Sequence, residues 1–182
     1  GVKMVVRATS IRPRKNFKKG FEQGTTDAMI IFEDALIPRE RVFLCGETLA
    51  GSMLAMLFAL YHRHSYSGCK PALSELMMGT VALAAEYNGV QNEKHIRDKL
   101  AEMIMVTELA YAAGFTASEL GGSKVFMPGV GVVPFGPGTC IPDSIYCNVG
   151  RCFTGEALYH EMETLANVTG GVPATMPHEE DL

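Results

Sequence analysis

The sequence predicts a mainly α protein, a helical bundle preceded by the last strands of a β domain. Three observations carry that expectation. Composition changes near residue 48, from short Val- and Ile-rich runs to long stretches with helical apolar spacing. Pro71 and the Asn88-Gly89 pair punctuate those stretches as helix ends or turns. A length of 182 residues with 47% hydrophobic and 20% charged positions suits a globular chain with room for one sizeable core. The expected division is residues 1–47 as the end of a β domain and 48–182 as an incomplete helical bundle.

Along the chain, residues 3–8 and Ala28–Phe32 read as strands, separated by a loop containing Pro13, Gly20 and Gly24. Residues 34–41, with Pro38, read as a turn. Residues 49–65 are apolar at almost every position, which predicts a helix enclosed on most sides. Pro71 lacks an amide proton and restricts Lys70, so this helix is expected to end or kink around residues 68–70, with another over 72–87. Residues 92–120 form an amphipathic helix, with Ile96, Leu100, Met103, Ile104 and Tyr111 on one stripe and Lys94, Arg97, Asp98 and Glu102 opposite. Residues 121–142 hold six Gly and four Pro and read as a long surface or site loop. Asp143 caps a fourth helix running to about Thr169. The chain opens within a strand-like run and stops in a Gly/Pro/acidic segment, as expected of the later part of something longer.

A net charge of -4 argues against a nucleic-acid partner. The local run Arg12, Arg14, Lys15, Lys18 and Lys19 reads as a solvated loop or a phosphate or CoA contact. No secretory signal is visible, and the longest apolar stretches, 49–61 and 81–85, fall short of the roughly 18–20 residues that span a bilayer, so no membrane partner and a cytoplasmic location are expected. Five cysteines without a C-x-x-C pair fit reduced thiols.

The densest chemistry is the stretch from Tyr61 to Lys70. At 100° per residue, His62, Tyr66 and Cys69 share one helix face, while His64 points elsewhere. Imidazole and thiolate are metal donors, but seven residues of helix separate their α-carbons by about 10 Å, too far for one ion and better suited to a polynuclear centre. Packing and hydrogen bonding of the same two residues is the competing reading, and a Cys69 nucleophile with His62 as base is a third. Lys70 suits a thioester carbonyl or phosphate, or a helix dipole.

The string His62-x3-Tyr66-x2-Cys69-Lys70, together with Val81–Ala85 running on through Glu86-Tyr87-Asn88-Gly89 and the earlier Phe32-Glu33-Asp34 to Arg41-Val42-Phe43-Leu44-Cys45, resembles the dehydratase/isomerase branch of the 4-hydroxyphenylacetate 3-hydroxylase family. The likeness covers nearly the whole chain. It implies an acyl-CoA-dehydrogenase-like fold in a homotetramer, of which this chain holds the end of the middle β domain and most of the C-terminal helical bundle. It further implies FAD and a [4Fe–4S] cluster, with His62 and Cys69 as two of the four cluster ligands and the others in a missing N-terminal part.

The implied reaction dehydrates 4-hydroxybutyryl-CoA to crotonyl-CoA and isomerises vinylacetyl-CoA to the same product. His62 would be iron ligand and base, Tyr66 a proton-transfer group and Lys70 a site-shaping cation. Asp27 stands where the branch has a catalytic Glu, one methylene shorter, and otherwise reads as a turn residue opening a strand. Thr169-Gly170-Gly171 resembles the segment that approaches a neighbouring subunit's FAD, and also suits a helix C-cap. Arg151 matches a basic position suited to the flavin pyrophosphate or to a salt bridge. The rival readings are a flavin-dependent aromatic hydroxylase of the same fold, needing no cluster, and a catalytically inert helical piece that packs on a partner.

Overall fold

The computed structural model describes residues 1–6 and 28–175. They divide into two compact units, the described residues through Thr48 and Leu49–Thr175. In the first, β1 (Val2–Val6) and β2 (Ala28–Phe32) pair antiparallel, with Val2 opposite Phe32 and Val6 opposite Ala28. The backbones of Gly1 and Glu33 close one end of the ladder. Residues of both strands are exposed on both faces, and a two-stranded sheet with no buried face is marginal alone. The turn expected next contains Asp34 at φ 45° and a 3-10 turn over Arg39–Arg41 after Pro38. The predicted loop with Pro13, Gly20 and Gly24, and the basic run from Arg12 to Lys19, lie outside the described residues.

The second unit consists of α1 (Thr48–Tyr87), α2 (Lys94–Glu119), a hairpin of β3 (Lys124–Met127) and β4 (Gly131–Pro134), α3 (Ser144–Val168) and a short α4 (Val172–Thr175). Two apolar clusters fix the helix directions. Leu60, Ala117, Ile141 and Cys147 form one, and Met77, Val81 and Met103 form the other, packed by Leu100, Leu158, Leu165 and Val168. Rising residue numbers on α1 and α3 lead from the first cluster to the second, and on α2 from the second to the first, so α2 is antiparallel to both. Buried polar side chains accompany these clusters: Ser67, Lys70, Ser74, Thr107 and Thr154 between them along the helices, and Glu161 and Thr164 beside the second.

Four expectations are corrected. α1 continues through Pro71 for 40 residues, where two helices were expected. A helix-interior proline costs about 3 kcal/mol, yet the helix runs on through it, with Pro71 itself buried and Lys70 tied to Ser74 and to Glu161 of a neighbouring helix. The first turns of α1 are not enclosed: among the large side chains Leu60 is buried, whereas Leu49, Leu54, Phe58 and Tyr61 are exposed. The buried stripe of α2 runs through Ile96, Met103, Thr107, Ala110, Ala113, Gly114 and Ala117, leaving Ile104 and Tyr111 exposed. Small residues occupy this face because they let the helices approach closely. Finally, the Gly/Pro-rich segment is a β-hairpin, with its Gly and Pro residues at the ends and turn, and with Lys124 opposite Pro134 and Met127 opposite Gly131.

The helix ends follow their residues. Gly89 adopts φ 69° and lets the Val90 amide donate to the Ala85 carbonyl at 2.9 Å. Asp143 Oδ1 accepts from the amides of Ile145 and Tyr146 at 2.9 and 3.0 Å, the expected N-cap of α3. α2 carries an 18-residue stretch of mean hydropathy 1.2, and its small-residue face is taken up by α1 and α3.

The closest helix approach makes a stability prediction. A Cβ added at Gly114 would lie 2.3 Å from Ser67 Oγ and 2.8 Å from Ser67 Cβ. Gly114→Ala is therefore expected to cost about 1–3 kcal/mol, and Ser67→Gly in the same chain should recover most of it. Denaturant unfolding of the three variants and the parent checks this; an unchanged midpoint for Gly114→Ala would remove the close approach.

Candidate functional site

The face of α1 that carries His62, Tyr66 and Cys69 follows from helix periodicity, and the unbroken helix preserves it. His62 is exposed, and its ring centroid lies 5.6 Å from that of Phe58, one turn earlier. Tyr66 is half-buried, with the Arg151 guanidinium of α3 over its ring at 4.4 Å from the centroid. Cys69 is exposed, and its thiol makes a weak bond to the Tyr66 carbonyl at 3.7 Å.

Lys70 goes the other way. Its side chain is buried, and the ammonium ion-pairs with Glu161 Oε2 and donates to Ser74 Oγ at 2.8 Å. His64 also faces away, its Nε2 lying 3.2 Å from the Gly114 carbonyl and 2.9 Å from Ser118 Oγ. A carbonyl only accepts, so Nε2 carries the proton. His64 lines a groove of about 310 Å³ between α1 and α2 with Ser65, Ser67, Tyr111, Gly114 and Ser118.

The structure thus groups His62, Tyr66, Cys69 and Arg151, and separates Lys70 from them by burial. Thr169-Gly170-Gly171 stands at the far end of α3, 18 residues past Arg151, or about 27 Å of helix. The two glycines adopt φ 68° and 82°, the Gly171 amide donates to the Ala166 carbonyl at 2.8 Å, and Thr169 Oγ1 donates to Leu165 at 2.6 Å. That is a helix C-cap. Asp27 lies outside the described residues.

Two features escaped the sequence reading. Glu161 is fully buried although its neighbours in sequence look like those of a surface helix. The available sign was its place in the series Leu158, Glu161, Leu165 and Val168, at core spacing. Contact between Arg151 and Tyr66 is long-range and leaves no sign in spacing.

Among the described residues no group of three or more His, Cys, Asp or Glu is placed to hold a metal ion. His62 and Cys69 offer the right donor chemistry on one face of α1, an imidazole and a thiol, but two donors two helical turns apart make an incomplete set. By donor type they suit iron, and by number they are two where a cluster ordinarily takes four.

Known proteins share both sequence and architecture with the chain. The 4-hydroxyphenylacetate 3-hydroxylase C-terminal family matches residues 52–182. The chain is 34% identical over 158 residues to the 4-hydroxybutyryl-CoA dehydratase/vinylacetyl-CoA-Δ-isomerase of Clostridium aminobutyricum, covering 87% of this chain and 30% of that protein. It is 38% identical over 95 residues to the 4-hydroxyphenylacetate 3-monooxygenase oxygenase component of Thermus thermophilus, covering 51% and 20%. An oxygen-tolerant archaeal 4-hydroxybutyryl-CoA dehydratase from N. maritimus superposes with TM-score 0.70 and 32% identity over 86% of this chain and 29% of that one. The oxygenase component of a 4-hydroxyphenylacetate 3-monooxygenase gives TM-score 0.78 and 25% identity over all of this chain and 37% of that one. The chain therefore spans about a third of its relatives' length or less, and its architecture is the acyl-CoA-dehydrogenase-like helical domain that the sequence predicted.

The cysteines supply a test of burial. Cys69 is exposed and Cys147 buried. Burial, then the Asp143 carboxylate, push the Cys147 thiol up from 9.0 to about 11, against the opposing Arg63 charge. The folded state thus keeps a proton that the unfolded chain releases, so stability is complete below pH 9 and falls between pH 9 and about 11. That loss should be on the order of 2–3 kcal/mol, and Cys147→Ala should abolish this part of the pH dependence. At neutral pH, iodoacetamide should label Cys69 and spare Cys147, as read by peptide mass spectrometry.

Proposed function

The chain belongs to the 4-hydroxyphenylacetate 3-hydroxylase C-terminal family, and from that premise we propose that it is a segment of a 4-hydroxybutyryl-CoA dehydratase/vinylacetyl-CoA isomerase. The observation that carries the reading is the outward face of α1, on which an imidazole, a phenol and a thiol at His62, Tyr66 and Cys69 stand together. Sequence likeness to the Clostridium dehydratase over 87% of the chain supports it. The complete enzyme would be a homotetramer acting on an acyl-CoA.

In this reading His62 and Cys69 hold two positions of a [4Fe–4S] cluster, and the remainder of the polypeptide supplies the others. When bound, FAD and the cluster supply one-electron chemistry and Lewis acidity, which a β-proton of very low acidity requires.

This chain's own groups do the rest. His62, exposed beside Phe58, takes up the substrate proton at a ring nitrogen. Tyr66 presents its hydroxyl to the same space while Arg151 holds the ring face. Lys70 shapes the site from within the core, Asp27 adds a carboxylate, and Arg151 with Thr169, Gly170 and Gly171 meets FAD at two separate places.

One observation favours a second reading: the oxygenase structure superposes over the whole chain with the higher TM-score. A flavin-dependent 4-hydroxyphenylacetate 3-hydroxylase would need FAD and oxygen and would leave Cys69 without an iron.

Iron separates the two. In the full-length protein purified without oxygen, Cys69→Ala is expected to lose cluster iron and dehydration together, while FAD stays bound. Tyr66→Phe should retain iron and lower the dehydration rate by about 10²–10⁴-fold, the usual contribution of a proton-transfer group. A parent protein that carries flavin but no iron and oxidises a phenol would establish the hydroxylase instead.

A further inference from the structure

Glu161 has no part in the function proposed above, yet it is among the largest fully buried side chains of the molecule. We propose that Glu161 is a positioning residue for the Tyr66–Cys69 face, acting through Lys70 as a brace across the proline in α1. The inference deepens the dehydratase reading and rests on it only for its functional readout.

The need for a brace follows from the backbone. Pro71 has no amide proton, so the Ser67 carbonyl cannot receive the helical bond from position 71. The missing rung lies within the turn that presents Tyr66 and Cys69. Lys70 stands before the proline and Ser74 after it, and the Lys70 ammonium donates to Ser74 Oγ at 2.8 Å, so this link crosses Pro71 and ties the turn that lacks the rung to the turn that follows. The same ammonium is ion-paired to Glu161 Oε2 on α3, with both side chains 1% exposed.

Stability alone does not account for this choice of residues. A buried ion pair is often replaced by apolar side chains of similar volume at no net cost. Here the pair is also incompletely satisfied: Glu161 Oε1 and the nearby Thr164 Oγ1 are buried with no hydrogen-bond partner among the described residues. What an apolar pair cannot supply is direction. Leu and Met pack in several rotations of a helix, whereas a charged hydrogen bond tolerates a narrow range of angles and distances. Lys70 directly follows Cys69 and lies four residues, about one helical turn, after Tyr66. Fixing Lys70 to α3 therefore fixes the rotation at which both are presented, and the Arg151–Tyr66 contact joins the same two helices.

The experiment is hydrogen exchange read by mass spectrometry on the full-length protein, comparing the parent with Lys70→Met/Glu161→Leu and with Glu161→Gln. The double variant should melt close to the parent. Its amides over residues 66–75 should exchange at least tenfold faster, with the rest of α1, α2 and α3 unchanged, and its cluster iron should fall. Glu161→Gln, which keeps an acceptor but not the charge, should show the same local pattern at several-fold and keeps the test available if the double variant folds poorly. Unchanged exchange over residues 66–75 in both variants overturns the proposal. So does faster exchange spread evenly over all three helices with a lowered melting point, which would make the pair a general stabiliser. Iron in the parent decides a different question: a parent without it sinks the dehydratase reading while the exchange pattern still decides the brace.

Discussion

Close approach of three helices at Ser67, Gly114, Ala113 and Gly150 governs the rest of the bundle. A Cβ at Gly150 would sit 3.1 Å from that of Ala113, and one at Gly114 would overlap Ser67. At these contacts themselves there is no room for a Cβ on Gly114, and the buried apolar side chains gather in two separate clusters. Between them along the helices are small and polar side chains. Thr107 and Thr154 satisfy themselves by donating to carbonyls one turn back, at 2.9 and 2.6 Å. Lys70 reaches Ser74 Oγ one turn on at 2.8 Å and also pairs with Glu161 across the helices, so its charge is met both locally and by α3.

With one face of α1 drawn into that crossing, the opposite faces are left outward. His62 and Cys69 are there, and so are Leu49, Leu54 and Phe58. The chain spans 30% of the Clostridium dehydratase and 37% of the oxygenase structure it resembles. A helix that is apolar all round reads as a core helix in sequence. Which parts are enclosed is set by the tertiary packing, and no periodicity encodes that.

The same distinction explains what could be read in advance. The strand at Ala28–Phe32, the Asp143 cap, the Gly89 stop and the shared face of His62, Tyr66 and Cys69 are local consequences of residue type and backbone periodicity, and the sequence displays them. Pro71 misled because its local cost is real, yet the helix runs on through it. Ile104 and Tyr111 misled because large apolar side chains ordinarily mark a core face, whereas on α2 small ones do. The hairpin at Lys124–Met127 and Gly131–Pro134 was hidden by its own Gly and Pro content, which lies at its turn and ends. Glu161 and Arg151 find their partners across helices, 91 residues from Lys70 in the first case, and such pairings are set by the tertiary arrangement.

Two histidines two residues apart on one helix show how that arrangement assigns chemistry. His62 and His64 are equivalent by composition, and each would serve as a ligand or a base. His64 commits its protonated Nε2 to the Gly114 carbonyl and lies within bonding distance of Ser118, so moving that ring would break a contact that helps hold α2 against α1. His62 meets Phe58 through its ring and leaves its nitrogens uncommitted among the described residues. A group that must bind a metal, let go and accept a proton has to change partners without disturbing the fold. Of the two, His62 is the one whose nitrogens hold no partner among the described residues, which is what the proposed roles of ligand and base would require.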